Sequence, residues 1–154
     1  MGDTIKSRLD ALGISLPPAA APAANYVPYA ISGRLVLTAG QLPLAEGKLI
    51  STGLVGKDLD TDAAKKAARQ CAVNILAQLQ AATGDLEKVA RLVKLTVFVA
   101  SAPGFTDQHL VANGASDLIA EVFGDRGRHA RSAVGVAALP LNAPVEVEAI
   151  AELA

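Results

Sequence analysis

The sequence predicts a two-layer α+β domain, with two helices covering one face of a single β-sheet. Three observations predict it. Residues 61–82 and 106–123 repeat apolar side chains at helical spacing. Val89–Val99 between them alternates at strand spacing. Arg131–Pro140 and Pro144–Ile150 follow as two further strand-like runs. Elements in this order pack as a sheet with helices around one core, and 154 residues suit one domain.

Residues 3–12 read as a short helix, capped by Asp3 or Thr4, with Ile5, Leu9 and Leu12 on one face and Gly13 ending it. Residues 15–28 carry Pro17, Pro18, Pro22 and Pro28, and each proline biases its predecessor away from the helix. An extended connector is expected there. Residues 1–19 are therefore assigned to an N-terminal helix with its Pro/Ala-rich connector, and 20–154 to the α+β domain.

Ser32-Gly33 should turn into a strand over Arg34–Ala39, which Gly40-Gln41-Leu42-Pro43 ends. Glu46-Gly47-Lys48 reads as a hairpin turn into Leu49-Ile50. The first long helix, capped by Asp60 or Thr61, aligns Ala64, Ala67, Ala68, Cys71, Ile75, Leu76 and Leu79. Its alanines allow close approach to a sheet. Gly84-Asp85 breaks it. In the central strand, Leu92, Lys94, Thr96 and Phe98 are expected on one side, and Val93, Leu95, Val97 and Val99 on the other. Ala102-Pro103-Gly104 turns the chain into the second helix, whose stripe is Leu110, Gly114, Leu118, Ile119 and Val122. A polar loop over 124–128 leads to the last two strands, read as a pair joined by a short turn. The bare sheet face calls for a symmetric oligomer to cover it.

Apolar residues make up 51% of the chain but aromatics only 3%, so the core must be Ala, Val, Leu and Ile. A net charge of −1 with no basic run speaks against nucleic acid as the main partner. The lone cysteine, Cys71, rules out an intrachain disulfide or a multi-cysteine zinc site. Its place on a helical stripe makes it a core residue. No secretory leader and no membrane-length apolar run are recognised, so a cytoplasmic protein is expected.

Arg131 stands where loop becomes strand. Its planar fork suits bidentate recognition of a carboxylate; the alternative is a structural ion pair to Glu146 or another acid. Glu146 and Glu148 share one face of the last strand. They are either solvated surface acids or acid–base groups whose burial and mutual proximity raise a pKa. Tyr29 offers a phenol or fills a gap in the core. Asn113, next to Gly114, is a poor interior helix former and should be hydrogen-bonding something. His109 and His129 lack a third ligand at metal spacing, so no metal is expected. His129, beside Arg128 and Arg131, either joins an anion site or is a loop residue. There is no glycine-rich phosphate loop and no serine in a nucleophile elbow.

The segment Ala130-Arg131-Ser132-Ala133-Val134, then Ala137-Ala138-Leu139-Pro140, then Val145-Glu146-Val147-Glu148-Ala149-Ile150-Ala151, closely resembles the signature of the reactive intermediate deaminase family, also called the Rid or YjgF family. Val27-Pro28-Tyr29, Leu37–Pro43 and Val93–Val99 match in the right order, so the resemblance runs from about residue 20 to the C-terminus. It implies a fold like Bacillus-type chorismate mutase, in a homotrimer with the sheets inside as a barrel and pockets between subunits. It also implies hydrolysis of reactive enamines and imines, such as 2-aminoacrylate, to 2-oxoacids and ammonia, without metal or cofactor. Carried over by position, Arg131, Glu146 and Tyr29 would be catalytic. Arg131, Asn113, Ala133 and Gly40 would bind the substrate, a small carboxylate-bearing imine or 2-oxoacid. Ala133 stands where many active members have cysteine. The N-terminal helix and a longer 124–128 segment, which would bring Arg126, Arg128 and His129 near the pocket, resemble a subgroup labelled endoribonuclease-like. The alternatives are a non-catalytic, carboxylate-binding regulatory protein and an endoribonuclease.

Overall fold

The computed structural model describes residues 2–154. Helix α1 (Ile5–Ala11) starts at a reciprocal cap: the Ser7 N–H donates to the Thr4 hydroxyl at 3.0 Å, and the Thr4 N–H to the Ser7 hydroxyl at 2.9 Å. Ile5 and Leu9 are buried in the same core as the rest of the chain. Two hydrogen bonds tie this helix to the body, and one ion pair braces its start. Arg8 pairs with Asp3 at 2.7 Å and donates to the Val122 carbonyl at 3.3 Å. The Ile5 N–H donates to the Glu87 carboxylate at 2.7 Å.

After the connector come strands β1 (Tyr29–Ser32) and β2 (Leu35–Thr38), an antiparallel hairpin turning at Gly33, whose φ of 59° suits glycine. β1 covers residues 29–31, to which the sequence assigned no element, and Ser32 of the expected turn. Four residues beside a proline are too few to show a strand period, and the pairing with β2 is what orders them. The small hairpin β3 (Leu44–Ala45) and β4 (Lys48–Leu49) turns where expected. Helix α2 (Thr61–Thr83) is capped by Asp60, and Gly84 ends it in the left-handed region. Its alanine stripe is fully buried. Cys71 lies in that stripe, its thiol 3.7 Å from the Val145 carbonyl and pushed up in pKa by burial.

Strand β5 (Val89–Ala100) carries two register shifts, between Val89 and Arg91 and between Leu92 and Lys94. Each bulge resets the alternation. Leu92 therefore joins Val89, Leu95, Val97 and Val99 in the core, and Val93 does not, contrary to the simple alternation. Helix α3 (Gln108–Phe123) buries Val111, Ala115, Leu118 and Val122, while Leu110 stays exposed. The apolar stripe thus begins one residue later than expected. Gly114 lies against the Lys65 backbone of α2, where any side chain would collide, so the two helices meet there.

Strands β6 (Ala130–Val136) and β7 (Val145–Leu153) do not pair with each other. The sheet order is β1-β2-β7-β5-β6, with β5 antiparallel to β7 and parallel to β6. Residues 137–144 are long enough to carry the chain across the end of β5, so the expected strand pair is split by the central strand. The helices cover one face. The other presents Leu37, Lys94, Thr96, Phe98, Val134, Glu146 and Glu148 by strand alternation.

Candidate active site

The six positions suggested by the sequence fall into two groups. Arg131, Asn113 and Ala133 gather at the β6 edge. Tyr29, Gly40 and Glu146 lie on the β1-β2-β7 side. β1 and β6 are the outer strands of the sheet, so Tyr29 and Arg131 stand four strand spacings apart, about 19 Å measured along the sheet. Arg131 registers with Leu95, whose side is covered by helices, and Glu146 with Phe98, on the open side. Arg131 and Glu146 therefore occupy opposite faces of one sheet, and neither forms the ion pair that the sequence left open.

Arg131 is held by α3. Nη1 donates to the Asn113 side-chain oxygen at 2.8 Å and to the Ser116 hydroxyl at 3.1 Å, and Nη2 donates to the His109 carbonyl at 3.1 Å. Residues 109, 113 and 116 recur at i, i+4 and i+7, one stripe of the helix facing the strand edge. This is the work Asn113 does inside a helix. All three partners are uncharged. Among the described residues no carboxylate pairs with Arg131. Nε–H and one N–H of Nη2 have no protein acceptor among the described residues, leaving two donors, the number a bidentate carboxylate takes. Ser116 was not singled out by sequence; only its spacing from Asn113 pointed to it.

His129 hydrogen-bonds to Ser116 at 2.9 Å. Arg126 does not join this group. It pairs with Glu87 at 3.0 Å and donates to the Val89 carbonyl at 3.1 Å, and Arg128 is exposed. The longer 124–128 segment therefore commits Arg126 to the base of the sheet and not to the pocket.

Glu146 is partly buried, flanked along β7 by the buried Val145 and Val147. Burial first, and the neighbouring Glu148 second, raise its pKa above the usual glutamate value. Gly40 packs against it so closely that a Cβ there would collide with the carboxylate. Gly40 is kept in place by the next residue: Gln41 exchanges both backbone hydrogen bonds with Val147, at 2.7 and 3.0 Å. A row of amides on α2 secures the following strap. Asn74 donates to the carbonyls of Leu42 and Leu44, and Gln70 to that of Leu44. Tyr29 begins β1 beside this strap, with the Ala39 N–H donating to the Pro28 carbonyl at 2.9 Å. No group of three or more His, Cys, Asp or Glu is gathered to hold a metal among the described residues.

A five-stranded mixed sheet with two helices on one face, an edge arginine and a glycine-packed glutamate define a chorismate-mutase-like α+β protein. Residues 6–153 match the family model described as "YjgF/chorismate_mutase-like, putative endoribonuclease". The chain belongs to the YjgF family. It is 54% identical to Protein TCP17 of Trypanosoma cruzi, over 97% of this chain and 94% of that one. It is 35% identical to the 2-iminobutanoate/2-iminopropanoate deaminase of Salmonella typhimurium, over 85% of this chain and 91% of the other. A crystal structure of a protein of unknown function from Agrobacterium tumefaciens superimposes with a TM-score of 0.92 at 58% identity, covering 97% of this chain and 92% of that one. Among the described residues no helix is long and apolar enough to cross a membrane.

Proposed function

We propose that this chain hydrolyses reactive imines and enamines of small 2-oxoacids, such as 2-aminoacrylate, to the 2-oxoacid and ammonia, in clefts between the subunits of a homotrimer. One observation carries the reading: Arg131 is fixed by three neutral partners and keeps two donors and its charge for an anion. The 35% identical relative is named for this reaction. The separation of the two residue groups across one sheet favours a shared site, in which the β6 edge of one protomer meets the β1-β2-β7 side of the next.

In that cleft Arg131 and Asn113 orient the substrate carboxylate. An enamine such as 2-aminoacrylate first tautomerises, a proton passing from nitrogen to the β-carbon through solvent; the resulting imine carbon is electrophilic, so positioning and modest proton transfer suffice. Water held by Glu146 adds to that carbon. Glu146 relays one proton from the water to the nitrogen, which gives the carbinolamine. It then relays the hydroxyl proton to the amino group, which leaves as ammonia while the carbonyl forms. A carboxyl whose proton affinity is raised by burial suits both transfers. Tyr29 is assigned to hold the attacking water, and Gly40 and Ala133 to leave room for the substrate.

The test mixes purified protein with a dehydratase that generates 2-aminoacrylate and follows keto-acid release. Acceleration that disappears in Arg131→Ala supports the reading. Ligand binding without acceleration would assign a regulatory binding protein instead. The family description also names RNA cleavage; the net charge of −1 and the lack of a basic stripe weigh against it.

A further inference from the structure

Arg131 is the near end of a longer chain of hydrogen bonds. His129 Nδ1 lies 2.6 Å from the Gly127 carbonyl. A carbonyl only accepts, so Nδ1 carries a proton. In the neutral ring Nε2 is then an acceptor, and its partner at 2.9 Å is the Ser116 hydroxyl. Ser116 must donate its one proton to His129, which turns its lone pairs to the Arg131 Nη1 at 3.1 Å. With the ring neutral, the order of donation is fixed from end to end: Arg131 to Ser116, Ser116 to His129, His129 to Gly127. The far end is rigid. Gly127 is buried against α3, where a Cβ would lie 2.6 Å from the Ile119 carbonyl.

We propose that Ser116 and His129 are positioning residues for Arg131. They lock the hydroxyl of Ser116 as an acceptor and so aim the guanidinium, leaving its two spare N–H groups directed at the substrate carboxylate. The inference rests on the carboxylate-binding reading of Arg131, but its wiring is testable apart from that reading. Without His129 the Ser116 hydroxyl rotates freely and can point its proton at Nη1. Without Ser116 one N–H of Nη1 has no partner, and the fork tilts. Each loss acts on the grip of the carboxylate, and so appears in Kd and KM before kcat.

Ring ¹⁵N NMR of the intact protein, with His129 neutral, is expected to show Nδ1 protonated and Nε2 bare. The opposite tautomer would overturn the inference whatever the protein's function. Calorimetric titration with 2-oxobutanoate then tests the consequence. Ser116→Ala and His129→Leu should each weaken binding by about tenfold, and Ser116→Thr should recover it to within about twofold. The double variant Ser116→Ala/His129→Leu should be no worse than Ser116→Ala alone, because both act through one contact. Wild-type binding that Ser116→Ala leaves unchanged, or losses that multiply in the double variant, would also refute it. If the wild type binds no 2-oxobutanoate and Arg131→Ala leaves keto-acid release unaltered, the deaminase reading fails, while the tautomer measurement still decides the wiring.

Discussion

Two arginine–glutamate couples in this molecule are treated in opposite ways. At the base of the sheet Glu87 and Arg126 meet at 3.0 Å, and Glu87 also takes the Ile5 N–H. The bond from Ile5 first, and Arg126 second, lower its pKa. At the candidate site Arg131 has only neutral partners, and Glu146 sits on another strand and face with its pKa raised. The chain neutralises the first couple internally and leaves the second unmatched. Unmatched charge that a fold tolerates at a strand edge or a sheet face is charge available to a partner or a ligand.

The strongest way to break this contrast is to remove each arginine in turn. Arg131→Ala should cut kcat/KM for keto-acid release by about 100-fold or more. Arg126→Ala should leave it within about twofold, yet lower stability by about 1 kcal/mol in denaturant titration through the lost carbonyl bonds and ion pair. Equal losses of activity would erase the distinction. Glu146→Gln comes next, with activity falling about 100-fold and stability at pH 7 rising slightly. A carboxyl with a raised folded-state pKa costs stability as pH climbs from the unfolded value of 4.5 through the folded one. Glutamine escapes that cost, for a gain of at most about 1 kcal/mol after solvent screening. A variant that loses stability at pH 7 would show Glu146 to be structural.

Glu87→Gln sharpens the contrast with the opposite sign. A lowered folded-state pKa gives stability that is present above the unfolded value of 4.5 and is lost as pH falls through the folded one. The variant should melt below the wild type at pH 7, by less than about 1 kcal/mol given the exposure of the pair, and the two curves should converge in acid. Parallel curves at all pH values would remove Glu87 from the account. Thr4→Ala touches no charge and should cost a comparable amount, about 0.5–1 kcal/mol, by uncapping α1. Turnover should be unaffected, as α1 lies outside the assigned site.

Local pattern carried α2, α3 and the length of β5, because a period sustained over many residues is readable without neighbours. It failed at Leu92-Val93, where two adjacent apolar side chains hide a bulge and only pairing with β7 shows which turns inward. It failed at Tyr29–Ser32 for lack of length. That β5 lies between β6 and β7 is a property of the sheet and leaves no trace in either strand. The partnership of Asn113 with Arg131 was half legible, since asparagine inside a helix asks for a reason. Ser116 gave no such signal, being at ease on a helix surface. The distance between Arg131 and Glu146 could not be read at all, because it depends on which strand intervenes.

The sealed sulfhydryl of Cys71 gives this protein an internal clock. Alkylating reagents reach it only when α2 lifts from β7, so the rate of labelling under native conditions reports the opening of that layer without an inserted probe. Val145, which holds the sulfur, is the residue before Glu146, and any small molecule that braces β7 there should slow the clock.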